Sequence, residues 1–296
     1  MPAEAILVAS IPFERGPMPR LTVEVYQSLM DALTAHCATS GESVRHFVSR
    51  ALSDALDLDH STLFQISTTG ALVQGVYDKA VTVGGLKEHG DFGLGTFEGL
   101  DGEMVVLDGK FYQAHGDGRI TVPSDSAPVP FATLTNFRPQ HRAHLGKIGS
   151  MGEFTAALDK LRRSDNLFFA VRIDGRFEEV HWRVACKVEA GIHLDTATDH
   201  QAEFRRNDVT GTMVGFWSPP YSKTVSVSGW HVHFLTEDRK SGGHVLGCKA
   251  AGLEAQVHDI DDLRLALPET SHFLHADLTQ DPSAALDKAE QAHDRK

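Results

Sequence analysis

The sequence predicts an α+β protein that is mainly β, with mixed sheets in two coupled subdomains and an N-terminal helical extension. From Thr62 onward, short apolar runs alternate with glycine, proline and Asp-Gly turns, which is typical of strands joined by tight turns. The segment from Leu21 to Leu58 instead carries apolar residues at helical spacing. We therefore expect an extension over residues 1–60, an N-terminal β subdomain over 61–165 and a C-terminal β subdomain over 166–296.

The extension is predicted to form two helices on either side of a turn at residues 40–43, preceded by the short strand-like run Leu21–Val25. The apolar residues that repeat at helical spacing are Val25, Leu29 and Leu33 before the turn and Val44, Phe47, Val48, Ala51 and Leu52 after it. Residues 1–60 contain four arginines and no lysine against eight acidic residues, a balance that opposes binding to phosphate. We expect this arm to pack on the rest of the chain or to pair two subunits.

Two more helices are expected within the β part of the chain. Met151–Leu161 places Phe154 and Leu158 on one side, as in a helix that packs on a sheet. Pro282–Glu290 is rich in alanine and has its proline early, where a helix tolerates it. The C-terminal subdomain is therefore predicted to end in a helix.

The composition is that of an ordinary soluble chain with enough apolar residues for a large core. Its 296 residues are 41% hydrophobic and 23% charged. The formal net charge of −12 argues against a nucleic-acid partner, because affinity for phosphates comes largely from clustered lysine and arginine. Apolar runs such as Ala5–Ala9 are far shorter than the roughly 20 residues that span a bilayer. We expect no nucleic-acid partner and no membrane insertion.

The three cysteines indicate the compartment. Cys37, Cys186 and Cys248 are odd in number and far apart, with no CxxC pair, so the sequence suggests neither a disulfide framework nor a thiolate metal cluster. The run Ala5–Ala9 lacks a preceding basic region and is too short for a typical signal peptide. We expect buried thiols in a cytoplasmic protein.

Three histidines have a spacing that favours a metal site. His231 and His233 are two residues apart, so on a strand their side chains point to the same face. The polar, glycine-containing segment Thr236–Gly243 is typical of a hairpin connection, after which His244 opens a returning apolar strand. Three imidazoles with an open coordination position are the pattern of a catalytic zinc site. A surface or buried polar pair is the alternative for the His-x-His spacing.

A glycine-rich run, His89–Gly109, contains two Asp-Gly turns around a short apolar strand, and together with the histidine run it resembles the acetolactate decarboxylase family. The same resemblance extends over four further stretches between residues 61 and 296: Leu63–Leu72, Pro130–Phe137, Arg172–Gly175 and Gly211–Pro219. It implies decarboxylation of (S)-2-acetolactate to (R)-acetoin and carbon dioxide, on the route to butanediol. It also implies a zinc cofactor and a homodimer.

The resemblance assigns roles to individual residues. Its zinc ligands fall on His231, His233 and His244, the set that the hairpin argument selects. A three-histidine zinc would act as a Lewis acid on the substrate oxygens while carbon dioxide leaves.

Five further residues match the family's pocket. Glu103 and Glu290, with Asp287 close to the latter, match the site carboxylates that would act in acid-base catalysis. Arg183 matches the pocket arginine, for which Arg172 and Arg176 are alternatives. Thr96 and Leu100 match substrate-binding positions, as a hydroxyl ligand and an apolar wall. His89, His258, His272 and His275 match no role and are expected at the surface.

Two other functions remain open from the sequence. A different three-histidine metalloenzyme, a hydrolase or an oxygenase, would use the same open coordination position. A regulator would use the N-terminal helices to bind DNA while the β part senses a metabolite, although the acidic balance of residues 1–60 opposes it.

Overall fold

A computed structural model of the chain describes residues 21–41, 43–56, 61–189, 191–197 and 201–290. These residues fall into two compact units, one within the first 60 residues and one from Ser61 onward. The second unit, here called the body, is built mainly of strands in mixed sheets, and the predicted α+β class is confirmed. The predicted division of the body between residues 165 and 166 stays a prediction.

The N-terminal unit contains the two predicted helices, α1 (Gln27–Ser40) and α2 (Val44–Ala55). Gly41 ends α1 in a left-handed conformation, with φ 75°, and its N–H donates to Cys37 O. The rings of His36 and Phe47 lie 4.7 Å apart, which joins the two helices. The preceding segment 21–25, which the sequence predicts to be strand-like, belongs to no strand.

The strands of the described body are short except for two of 17 residues. They are β1 (Thr62–Ile66), β2 (Val81–Thr82), β3 (Phe92–Thr96), β4 (Glu103–Leu107), β5 (Lys110–Ala114), β6 (Ile120–Thr121), β7 (Pro128–Val129), β8 (Phe131–Thr135), β9 (His141–Leu145), β10 (Phe168–Val184), β11 (Ala202–Ser218), β12 (Gly229–Thr236), β13 (Gly242–Lys249), β14 (Leu253–Ile260) and β15 (Asp262–Ala266).

A seven-stranded sheet has the order β15-β1-β8-β3-β4-β5-β6. It is mixed, because β15 runs parallel to β1 while the other neighbours are antiparallel. A six-stranded antiparallel sheet has the order β11-β12-β13-β10-β14-β9. The strands β2 and β7 form a separate pair.

The six-stranded sheet contains a closed ring of pairings. The long strand β10 pairs with β11 along one edge and with β14 and then β13 along the other. Because β11 also pairs with β12, and β12 with β13, the four strands β10 to β13 return to their starting point. This closure brings the C-terminal end of β10 next to the hairpin of β12 and β13.

The two sheets share an apolar core. Leu63, Leu94 and Val105 of the seven-stranded sheet pack in one buried cluster with Phe168 and Phe216 of the six-stranded sheet. Burying a large apolar side chain contributes roughly 1.5–3 kcal/mol, so this shared layer fixes one sheet against the other. Residues at the contact between the sheets are therefore held rigidly.

Six helices complete the described body: α3 (Thr69–Val73), α4 (Val83–Leu86), α5 (Met151–Asp159), α6 (Leu194–Ala197), α7 (Ser271–His275) and α8 (Ser283–Glu290). The predicted helices at 151–161 and 282–290 correspond to α5 and α8, within two residues at each end. No helix of the described residues is long and apolar enough to cross a membrane.

Candidate metal centre

The three histidines selected from the sequence converge at one point. His231 and His233 lie two residues apart on β12, and His244 lies on β13, directly opposite His233 in the hairpin. One ring nitrogen of each lies within 4.8 Å of the others, a group that can hold a metal ion. The hairpin itself is as predicted, with β13 beginning at Gly242, two residues before His244.

Hydrogen bonding orients His233 for ligation. Its Nδ1 lies 2.8 Å from the carbonyl oxygen of Met104, which can only accept, so Nδ1 carries the proton. Its Nε2 then presents a lone pair, 3.1 Å from His231 Nε2. A ligating histidine that donates its other N–H to a backbone carbonyl is the usual arrangement around metals. The backbone of β4 therefore positions a side chain of β12.

Burial keeps two of these imidazoles neutral. Burial, followed by the nearby charge of Arg183, lowers the pKa of His231 to about 3. Burial also lowers the pKa of His233 to about 3, although the Glu103 carboxylate acts in the opposite direction. Both rings are therefore neutral at pH 7, each with one nitrogen that carries no proton, which is the form that binds metal ions. The donor set fits a divalent metal ion.

Glu103 and Arg183 form an ion pair beside the histidines. Glu103 Oε1 accepts hydrogen bonds from Arg183 Nη1 and from the backbone N–H of Ala185, each at 3.2 Å. Glu103 Oε2 lies 3.6 Å from His233 Nε2. Arg183 is 5% exposed and Glu103 6%, so the pair is shielded from water. A carboxylate and a guanidinium thus border the three-histidine group.

A glycine allows β13 to approach β10 at this point. Arg183 and His244 are register partners, and Gly243 precedes His244 with φ 152°. A Cβ on Gly243 would lie 2.3 Å from the carbonyl oxygen of Arg183, closer than real atoms come. Only glycine therefore lets the histidine strand lie against the arginine strand.

Thr96 is the last residue of β3, and Leu100 lies in the turn that leads from β3 to Glu103 at the start of β4. Thr96 Oγ1 donates to the carbonyl oxygen of Gly102 at 2.7 Å, and both Thr96 and Leu100 are buried. Leu100 has φ 56°, a left-handed conformation that costs a leucine free energy and is held here by its surroundings. A Cβ on Gly102 would lie 2.0 Å from Ala114 O, so this turn also requires glycine.

Glu290 is the last residue of α8. Its side chain lies outside the described part of the chain. The helix packs through Leu286 and Ala289 into the apolar cluster that contains Leu100. The two alternatives to Arg183 lie elsewhere: Arg172 pairs with Asp108 and Asp174, and Arg176 pairs with Asp208.

Several features of the site and its surroundings were not foreseen from the sequence. The Met104 carbonyl and the Ala185 N–H act through the backbone, so no side-chain pattern announces them. The prediction of a surface position for His258 is wrong, since it is 1% exposed. Phe137, which lies far from it along the chain, packs edge-on against its ring at a centroid distance of 5.8 Å, and an apolar neighbourhood is the only signal the sequence offers.

The chain is similar to known proteins over most of its length. A family model described as Alpha-acetolactate decarboxylase matches residues 63–280. The chain is 40% identical over 250 residues to the Alpha-acetolactate decarboxylase of Methanosarcina mazei, which covers 84% of this chain and 85% of that protein. It is 37% identical over 237 residues to the enzyme of Bacillus licheniformis, covering 79% and 94%. The crystal structure of alpha-acetolactate decarboxylase from Bacillus subtilis superposes with a TM-score of 0.76 at 33% identity, covering 78% of this chain and 100% of that one.

Proposed function

Because the chain belongs to the alpha-acetolactate decarboxylase family, we propose that it is a zinc enzyme that converts (S)-2-acetolactate to (R)-acetoin and carbon dioxide. The decarboxylase activity follows from family membership. The metal, the stereochemical course and the individual roles are the proposal. The observation that carries it is the three-histidine group beside a buried carboxylate–guanidinium pair.

Decarboxylation requires an acceptor for the electron pair of the bond that breaks. When the bond to the carboxylate breaks, carbon dioxide leaves and the bonding electrons pass to the neighbouring ketone oxygen; a proton must then reach the carbon. His231, His233 and His244 would hold the metal, which when bound would supply a Lewis acid for the negative charge that develops on the substrate oxygens. Three neutral imidazoles with an open position are a donor set of catalytic zinc sites, which is why we propose zinc.

Arg183 and Glu103 have complementary roles in this scheme. The guanidinium keeps its charge at any physiological pH and stabilises the negative charge of the substrate or of the state that follows loss of carbon dioxide. Glu103 Oε1 is occupied by Arg183 and by the Ala185 N–H, whereas Oε2 faces His233. We assign Oε2 as the atom that holds the proton in transit.

Two side chains would shape the pocket. Since Thr96 Oγ1 already donates to Gly102 O, its remaining capacity is that of an acceptor, which suits a substrate hydroxyl or a water better than a carboxylate. Leu100 offers an apolar wall for the methyl groups of the substrate. Glu290 is retained as a second carboxylate, because α8 packs against the Leu100 cluster.

The proposed setting is the cytoplasm, within acetoin and butanediol formation, with the enzyme as a homodimer. Three free cysteines support a reducing compartment. The hydrolase or oxygenase alternative and the DNA-binding alternative receive no specific support, and they serve as contrasting outcomes of the test.

The test is carbon dioxide release from racemic acetolactate by the purified chain under anaerobic conditions, with chiral separation of the acetoin. We expect oxygen-independent release of one carbon dioxide per acetoin, with (R)-acetoin in excess over (S)-acetoin. Turnover that requires oxygen, or equal amounts of the two acetoin enantiomers, would contradict it.

A further inference from the structure

The N-terminal unit exposes more large apolar side chains than the whole of the described body. Ten of them lie between residues 21 and 56, whereas the described body exposes six. They are Leu21, Val23, Val25, Tyr26, Leu29, Met30, Val44, Val48, Leu52 and Leu56. A patch of this density on so short a segment marks an interaction surface.

On α2 the exposed apolar residues form one stripe. Val44, Val48 and Leu52 follow one another at intervals of four residues, so they lie on the same face of the helix. They are exposed by 46%, 36% and 43%. A helix with such a face normally buries it against another element.

The segment before α1 has a matching pattern in its sequence. Leu21, Val23 and Val25 alternate with Thr22 and Glu24, so in a strand the three apolar side chains would share one face. Among the described residues, no strand pairs with the backbone of this segment.

A second copy of residues 21–25 could pair with this segment. In the antiparallel pairing that matches all five residues, Val23 lies opposite Val23, and Leu21 lies opposite Val25. Every apolar side chain then falls on one side of the two-stranded ribbon, as a twofold axis requires. The segment is therefore complementary to itself.

The exposed apolar area of this unit is also large enough for a dimer interface. Taking roughly 150–200 Å² for a fully exposed large side chain, the ten residues present on the order of 900 Å² per copy, and a stable interface buries about 800 Å² per partner. The surface lies outside residues 63–280, the part that matches the family.

We propose that residues 21–56 pair two copies of this chain about a twofold axis through Val23. The pairing surface is separate from the catalytic proposal, and its test needs no turnover.

The experiment uses disulfide trapping in the full-length chain. Val23→Cys places two thiols opposite each other at the axis, within the Cα separation of about 4.4–6.8 Å that a disulfide requires. Thr22→Cys is the matched control, because each Thr22 faces Glu24 of the other copy. After mild oxidation we expect covalent dimer for Val23→Cys in at least fivefold excess over Thr22→Cys and over the unsubstituted chain with its native cysteines. Equal trapping in the three proteins would overturn the proposal.

A second measurement tests the helical stripe. The full-length double variant Val48→Asp/Leu52→Asp should weaken self-association at least tenfold in sedimentation velocity, whereas Thr39→Asp, on the opposite face of α1, should leave it unchanged. Circular dichroism checks that both variants stay folded. If the double variant melts earlier but associates as tightly as the parent chain, the stripe packs on its own chain and the proposal is wrong.

Discussion

Glu103 Oε1 and Arg183 Nη1 lie 3.2 Å apart, and this contact joins the two sheets of the body. The partners come from β4 of the seven-stranded sheet and β10 of the six-stranded sheet, and their side chains are 8% and 7% exposed. A buried pair of this kind is costly to break, because the remaining charge loses both water and partner. The same contact therefore bears on stability and on chemistry.

Arg183→Ala should lower both stability and turnover. It leaves Glu103 buried without its charged partner, a change that typically costs roughly 3–5 kcal/mol. We expect a clear loss in the free energy of unfolding by denaturant titration, and a kcat reduced by about 10²-fold or more. Arg176→Ala is the control on the same strand: its pair with Asp208 is exposed to solvent, so it should change neither quantity. An Arg183→Ala protein with near-normal kcat would remove Arg183 from the site.

Glu103→Gln separates charge from shape. The amide oxygen can still accept from Arg183 and from the Ala185 N–H, so the fold should persist with its metal. The carboxylate that we propose holds the proton is lost, and kcat should fall by about 10²-fold or more. Steady-state kinetics with metal quantification is the measurement. Full turnover with bound metal would show that another group carries the proton.

Tyr77→Phe should stabilise the body. Tyr77 is 1% exposed and its hydroxyl has no hydrogen-bond partner among the described residues. Burial, and secondarily the charge of Asp195, raises the pKa of Tyr77, so the phenol stays protonated. Removing an unsatisfied hydroxyl should raise the free energy of unfolding by about 1 kcal/mol.

Thermal unfolding compares Tyr77→Phe with Tyr221→Phe, whose exposed hydroxyl donates to Asn166 O. The control should show no gain. A destabilised Tyr77→Phe protein would mean that the hydroxyl is bound, by water or by a substrate group.

Deleting residues 1–60 should leave a body that binds metal and decarboxylates acetolactate. The three histidines and the Glu103–Arg183 pair all belong to the unit that begins at Ser61, and the family match begins at residue 63. Metal content and kcat should stay within about twofold of the full-length values, while self-association weakens. A truncated protein that keeps its metal but has no turnover would show that the extension contributes to the active site.

The sequence predicted what depends on local pattern. The strand His231–His233, the polar connection and His244 follow from period two and from turn residues, and the structure has that hairpin. The helices at 27–40 and 44–55 follow from apolar spacing, and the helix at 283–290 follows from its alanines and the proline before them. Each of these elements spans a short stretch of sequence, so residues close along the chain largely determine its conformation.

Long-range closure was not predictable in the same way. That Arg183 faces Glu103 depends on the 17-residue strand β10 closing a ring with β11, β12 and β13, which no local pattern specifies. The choice of Arg183 over Arg172 and Arg176 came from resemblance, and the structure adds a physical reason: the other two pair with aspartates away from the histidines. The burial of His258 likewise depends on neighbours far along the chain.

The proposed three-histidine metal site is tested most directly by the metal content and turnover of His233→Ala, measured beside the parent chain and His144→Ala. His144 pairs with Glu254 in an exposed contact and serves as the control. We expect about one zinc per chain and full acetoin formation in the parent and the control, and loss of both in His233→Ala with an unchanged circular dichroism spectrum. A His233→Ala protein that retains stoichiometric metal and full turnover would contradict it.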